Sequence, residues 1–413
     1  MRILFISYYF QPEPNFFMCL PFAKKLVEFG HEVEVLTGFP NYPGGKIYEG
    51  YRIKPLQRET LEGVPIVRVP LYPSHDRSAV RRIAGYTSYA LSASTIGAAV
   101  IKKADVAYVD QGPATVGLPA CVLRLIRGIP FVYNVQDLWP DTLASTGMLN
   151  NRFMLWTVSK WCQFCYRCAS KIVVITPGFK QKLRERGVPE DKIEVIYNWC
   201  DDSQICRAEK NQELANAFGM AGRFNVVFAG NIGAAQAMNA VLEAAKIIAL
   251  QASLVQFVFI GGGVEVEPLK EKAAALDLKN VLFHKRQPVS EIGKILCLAD
   301  VLLVHLKDDP LFQITIPSKT QAYMAIGRPI LMGVKGDAAD LVIKAKTGLV
   351  CEPENPRSIA EAVVKLSSMS KTDLDEMGEN GRRFYERELS FDIAARKYEK
   401  VFESVAKRAK KRD

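Results

Sequence analysis

The sequence lacks several features that would each have fixed a class at once. It has no low-complexity tract, which excludes a disordered or fibrous chain, and half of its residues are hydrophobic and a quarter charged, as in folded proteins. Nine cysteines are present, but without the spacing of a secreted scaffold, which argues against disulfide bonding and for the cytosol. Cys162, Cys165 and Cys168 recur every third residue, which lines one side of a helix. No fourth ligand lies close in sequence, so reduced, buried thiols are preferred to a zinc or iron–sulfur site. Met1–Ser7 is short and runs straight into a polar loop, so it is not read as a signal peptide. No RNP, zinc-finger or helix-turn-helix signature accompanies the net charge of +10. Anionic lipid headgroups and diphosphate substrates therefore rank above nucleic acid as the partner such a charge favours.

What is present is a repeating α/β pattern. A chain of 413 residues exceeds one core, so two domains are expected. Arg2–Ser7 reads as a buried strand, followed by a proline-punctuated loop at 8–15, a helix from about Phe16 to Phe29 and a second strand, His31–Thr37. Strand, loop, helix, glycine, strand opens a doubly wound parallel sheet, in which ligands sit beyond the strand C-termini. Further strands are read at Pro65–Pro70, Ala104–Asp110, Pro130–Val135, Lys171–Ile175 and Ile193–Tyr197. Loops bearing Ser74-His75-Asp76, Gln111-Gly112-Pro113 and Gln136–Asp141 gather on one rim. After a polar linker at 201–223 a second cycle begins with Phe224–Ala229, and strands follow at Gln256–Ile260, Val281–His284 and Asp300–His305. The expectation is two facing Rossmann-like domains with a cleft between them, over residues 1–198 and 199–388, with 389–413 a helix returning to the first. His31 is read as packing, and His284 and His305 as strand-end residues.

Ile83–Ile101 carries no charge and is flanked by Arg77, Arg81, Arg82, Lys102 and Lys103. Its glycines, serines and threonines leave three readings open: a buried helix, an interfacial helix resting on a membrane, and a spanning helix.

The stretch Gln313–Leu331 reads as loop, short helix, hard stop and buried strand. Pro317 suits a first helical position and Gly327 a left-handed stop. The helix's free N–H groups favour an anion, and Lys319 in the first turn makes best sense as a phosphate contact. The alternative is a solvated lysine at an exposed helix start.

The segments 8–16 (YYFQPEPNF), 30–48 (GHEVEVLTGFPNYPGGKIY), 136–141 (QDLWPD), 228–236 (FAGNIGAAQ) and 308–331 (DDPLFQITIPSKTQAYMAIGRPIL) occur in an order that resembles family 4 glycosyltransferases of the GT-B fold. The resemblance is closer to the WbuB-like subgroup of bacterial O-antigen and capsule transferases, proposed to move N-acetyl-L-fucosamine. It implies a UDP-sugar donor on the second domain and an undecaprenyl-diphosphate-linked acceptor on the first, at the inner face of the membrane. It also implies retention at the anomeric carbon without a metal.

The donor residues implied are Gly230 and Gly233 at the diphosphate, Gly261 and Gly262 at the nucleoside, and Pro317, Ser318 and Lys319 at the helix start. The family's usual Arg and Lys of the glycine loop are replaced by Asn231 and Gln236, and its two glutamates by residues near Ile314 and Ala322. Neutralising charge is therefore expected from Lys319, with Lys307 and Arg286 behind it, because bare phosphates in a closed site are costly. Asn15 stands in a loop where the family has Gly-Gly and offers an amide instead. Asp137 is the preferred assisting carboxylate, with a loop anchor for Trp139-Pro140 as its alternative role. Glu13, His75, Asp76 and Trp139 are expected on the acceptor side. No paired-aspartate metal motif is evident, since Asp201-Asp202 falls in the linker and Asp308-Asp309 in a turn. Two rival readings remain: a UDP-sugar 2-epimerase of the same architecture, and a non-catalytic nucleotide-sugar-binding subunit.

Overall fold

The computed structural model describes residues 1–14, 19–74, 79–145, 147–201, 204, 205 and 207–410. The chain divides into two units, Met1–Ile196 with Ala395–Asp413, and Tyr197–Ala394.

The first unit carries β1 (Arg2–Ser7), β2 (Glu32–Gly38), β3 (Gln57–Leu61), β4 (Val64–Val69), β5 (Val106–Gln111), β6 (Phe131–Val135), β7 (Lys171–Val174) and β8 (Ile193–Val195). Their order is β3-β4-β2-β1-β5-β6-β7-β8. All pairs are parallel except β3 with β4. The inner strands are apolar on both faces because helices cover both sides of a parallel sheet. β3 escaped the sequence reading because Gln57-Arg58-Glu59-Thr60-Leu61 is a polar edge strand with no apolar run. The expected helix at 16–29 is seen as Leu20–Glu28, its first residues lying outside the described ones.

The last helix, Phe391–Lys410, starts in the second unit and completes the first. Tyr398 and the neighbouring Phe402 pack against Phe22 and Tyr108, with Tyr398 ring centroids 5.0 and 5.7 Å from those two. The Tyr398 hydroxyl donates to Asn134 Oδ1 at 2.9 Å. His31, read as packing, also bonds Glu399 of this helix at 2.9 Å.

Residues 79–100 form one helical stretch, interrupted by a π turn at Ala93–Gly97, with Tyr89, Ala90, Ala93 and Ala98 buried. One face of the uncharged segment thus packs on the unit. Among the described residues no helix is long and apolar enough to cross a membrane.

The second unit holds β9 (Phe224–Asn231), β10 (Val255–Gly262), β11 (Val281–His284), β12 (Val301–His305), β13 (Ile330–Gly333) and β14 (Gly348–Val350), all parallel in the order β11-β10-β9-β12-β13-β14. Two apolar clusters sandwich this sheet. In each unit the strand order reverses at one point, between β1 and β5 and between β9 and β12. Loops leaving the C-terminal ends of those strands diverge there and leave a crevice, the usual ligand position in such sheets.

Candidate functional site

In the second unit the reversal point is lined by the loop after β9. Gly230 and Gly261 pair across β9 and β10 so closely that a Cβ on Gly261 (φ +158°) would lie 1.9 Å from the Gly230 carbonyl oxygen. Gly261, which the resemblance assigned to the nucleoside, is also required by the approach of two protein strands. Nothing crowds Gly262.

Gln236 folds back on its own loop, its Oε1 accepting from the Gly233 N–H at 2.9 Å. Its carbonyl meets His305 Nδ1 at 2.7 Å, while His305 Nε2 accepts from the Glu354 N–H at 3.1 Å. That pattern fixes the proton on Nδ1, and burial lowers the ring's pKa, so His305 is a neutral brace for the glycine loop. Asn231 is exposed beside Gly233. Lys307 is exposed after β12, and its N–H donates to the Ala235 carbonyl at 2.9 Å. Arg286 is exposed beyond β11, two strands from β9.

Helix Lys319–Ile326 follows, and Gly327 (φ +74°) ends it in the left-handed conformation as the sequence requires. Pro317 precedes the cap residue Ser318, which is already helical and gives no side-chain cap, so the start lies one turn position later than Pro317 suggested. The first-turn N–H groups are left uncapped by that side chain. Tyr323 fastens the helix to β9: its hydroxyl accepts from the Ala229 N–H at 3.0 Å and lies 3.3 Å from the Ala229 carbonyl.

Lys319 is consequently held over the β9 tip. Its Nζ sits 3.5 Å from the Phe228 ring centroid, and a Cβ on Gly230 would be 3.4 Å from it. No carboxylate pairs with it among the described residues. Desolvation lowers its pKa from 10.5 to about 7. A half-buried ammonium facing a ring and glycines, at an uncapped helix start, is a site short of one anion.

The first unit's rim is arranged otherwise. Glu13 is buried and saturated, its carboxylate accepting from the N–H groups of Phe10 (3.0 Å), Asn41 (2.7 Å) and Tyr42 (2.8 Å). It ties the loops after β1 and β2 together rather than presenting a free carboxylate. Arg68, fully buried, donates to Glu59 at 2.7 Å, to the Gly38 carbonyl at 2.9 Å and to the Gln11 carbonyl. Behind them Asp110 accepts from Asn134 Nδ2 at 3.1 Å, and burial raises its pKa to about 6.

Asp137 keeps an exposed edge on the loop after β6, and desolvation raises its carboxyl above the ordinary range. No side chain caps or pairs with it among the described residues. The loop-anchor role falls instead to Arg186, which donates to the Trp139 carbonyl at 2.9 Å and pairs with Asp141. Trp139 is half-buried, bracketed by these contacts. Asn15, His75 and Asp76 lie outside the described residues.

Two features of this rim were not picked out from the sequence. Tyr8, Tyr9, Tyr42, Tyr86 and Tyr89 form an edge-to-face cluster at the β1 end, with centroids 4.7 to 5.4 Å apart. The tyrosine pair before Phe10 was its only sequence trace. Gln111, at the end of β5, is buried with both amide atoms unpartnered among the described residues. Among the described residues no three His, Cys, Asp or Glu side chains gather as a metal site. Asp308 is engaged by Lys335 at 2.6 Å, and Asp309 caps the turn at Pro310–Gln313.

The chain matches the family described as glycosyl transferase 4-like domain over residues 19–199 and that described as glycosyl transferases group 1 over 211–384. It is a GT-B glycosyltransferase of the family 4 type. Relatives of the transferase include the probable glycosyltransferase WbjE of Pseudomonas aeruginosa, 25% identical over 72% of this chain and 74% of that one. Another is the putative colanic acid biosynthesis glycosyl transferase WcaI of Escherichia coli K12, with the same identity and coverage. Among solved structures, HepE from Anabaena in complex with UDP superposes with a TM-score of 0.73 at 15% identity, covering 98% of this chain and 100% of that one.

Proposed function

We propose that the transferase moves a sugar from a UDP-sugar to a polyprenyl-diphosphate-linked acceptor during surface polysaccharide synthesis, with retention and without a metal. The observation that carries this reading is Lys319, an ammonium held at the reversal point of the second sheet with no counterion among the described residues. A diphosphate there would restore its charge, lie within reach of the helix N–H groups, and be stabilised as it leaves. The UDP-bound relatives by fold support the donor class, and the colanic acid relative supports the polysaccharide setting. The likeness to WbuB-type enzymes suggests an N-acetylated deoxyhexosamine such as N-acetyl-L-fucosamine. Asp137 is the assisting carboxylate of the first unit, and the donor phosphate itself accepts the acceptor's proton. The enzyme would work at the inner face of the membrane, where its lipid-linked acceptor resides.

Calorimetric titration with UDP, ADP and GDP, repeated on Lys319→Ala, tests the central claim. UDP should bind tightest, and the substitution should weaken it, and slow transfer, by about a hundredfold. Unchanged UDP affinity in Lys319→Ala would refute the role of the lysine. Conversion of a UDP-N-acetylhexosamine with no acceptor present would favour a 2-epimerase.

A further inference from the structure

The helix between β6 and β7, Arg152–Cys168, buries Cys162, Cys165 and Tyr166 and turns its other face outward. That outward face carries Phe153, Trp156, Lys160, Phe164 and Arg167, spaced three or four residues apart. A solvated helix face is normally polar, yet Phe153 is 73% exposed and Trp156 56% exposed. Their rings stack 6.0 Å apart, and Lys160 Nζ lies 5.8 Å from the Trp156 ring centroid. The neighbouring helix, Gly117–Arg127, adds Leu125 (86% exposed) and Ile126 (62%). The two helices touch, since a Cβ on Gly117 would meet Cys165 Sγ at 2.5 Å.

Charge is as one-sided as the apolar exposure. From Thr142 to Arg184 the chain has no Asp or Glu, and residues 111–136 have none either. The helix pair contributes Arg124, Arg127, Arg152, Lys160 and Arg167. Two copies of this face would oppose cation to cation, because a twofold contact brings a patch against itself. Aromatic rings beside lysine and arginine, on helices whose own sequences carry no carboxylate, suit the boundary between acyl chains and anionic headgroups.

We propose that the outward face of Arg152–Cys168, continued by Leu125 and Ile126, docks on a lipid bilayer bearing anionic headgroups. The inference rests on the lipid-linked acceptor of the function above, and it gives the membrane contact a definite place. The uncharged segment Ile83–Ile101 drew attention in the sequence, but its helix buries one side, and the large side chains it exposes, Ile83 and Leu91, are aliphatic, with no exposed aromatic ring among them. The docking helix is about 25 Å long, and, as the crossover from β6 to β7, it starts at the strand C-terminal edge. Phe153 and Trp156 therefore lie toward the edge from which the loop Gln136–Asp141 emerges.

The test is co-sedimentation of the full chain with vesicles of phosphatidylcholine alone or with one third phosphatidylglycerol. Wild type should partition onto the anionic vesicles with a blue shift of tryptophan emission. Phe153→Ser/Trp156→Ser and Lys160→Glu/Arg167→Glu should each lower partition by about tenfold or more. Partition of either double variant equal to wild type, or no vesicle binding by wild type, overturns the proposal. So does a wild-type dimer in lipid-free sedimentation velocity that Phe153→Ser/Trp156→Ser abolishes, since the face would then serve a second copy. UDP titration on the same samples separates the two readings. A wild-type circular dichroism spectrum and thermal midpoint show that the variants, altered in the first unit, are folded, and normal UDP binding leaves the transferase function standing whatever the vesicles report. Absent UDP binding in wild type would fail that function without touching the vesicle result.

Discussion

The two reversal points differ in how their polar groups are satisfied. In the second unit, Lys319 stands over Phe228 and Gly230 with no carboxylate to meet it among the described residues. In the first, Glu13, Arg68 and Asp110 are each bound by two or more protein partners. The contrast separates polar groups that build a site from those that wait for a ligand. A charge already neutralised by backbone and side chains stabilises loops, whereas one left uncompensated in a partly dry place stores a preference for something absent.

The sharpest way to break this comparison is at Arg68. Its replacement by Met should cost about 3–5 kcal/mol in urea unfolding, because Glu59 and two carbonyls lose a buried donor. A loss under about 1 kcal/mol would show that the first rim is as loosely satisfied as the second.

Asp110 offers a pH version. Its carboxyl is raised from 3.8 to about 6 by burial, so between these values the native chain holds a proton that the unfolded chain has released. The stability it contributes is present below about pH 4 and is lost as pH rises through 6, to the extent of about 3 kcal/mol. Asp110→Asn should flatten that part of the stability–pH curve, and an unchanged curve would contradict it.

Lys319 should behave in the opposite sense on ligand binding. With its free pKa near 7, it is mainly neutral at pH 8, whereas the diphosphate complex requires the ammonium. UDP binding at pH 8 should take up nearly one proton, seen as buffer-dependent binding enthalpy. Affinity should fall by up to about tenfold per pH unit above 7, and Lys319→Arg should remove that slope.

The smallest effect is expected at Tyr323. Removing its hydroxyl in Tyr323→Phe frees the Ala229 N–H and should cost about 1 kcal/mol, with a modest loss of UDP affinity. Loss of stability without any change in UDP binding would mean that Lys319 keeps its place without this tether.

Most of the architecture was legible because buried parallel strands announce themselves as short apolar runs. Arg2–Ser7 and Val281–His284 were read to the residue. The edge strands β3 and β14 were not, one being polar and the other three residues long. At the candidate site, Lys319 drew attention in the sequence because its oddity is local, a cation in a helix's first turn. Glu13 was misread because its partners Asn41 and Tyr42 lie 28 and 29 residues away. The strand-packing role of Gly261 was not legible for a related reason, since the backbone that crowds it belongs to another strand. The exposed Phe153 and Trp156 were passed over because periodicity alone does not say which stripe of a helix faces the sheet.

The return of Phe391–Lys410 to the first unit has a consequence for synthesis. Phe22 and Tyr108 leave the ribosome before the second unit is made, but the Tyr398 and Phe402 rings that cover them are made only after it. Until then the Asn134 amide oxygen also lacks the hydroxyl that meets it. The amino-terminal sheet must therefore persist as an unfinished intermediate while the intervening unit is translated, and the last helix seals it.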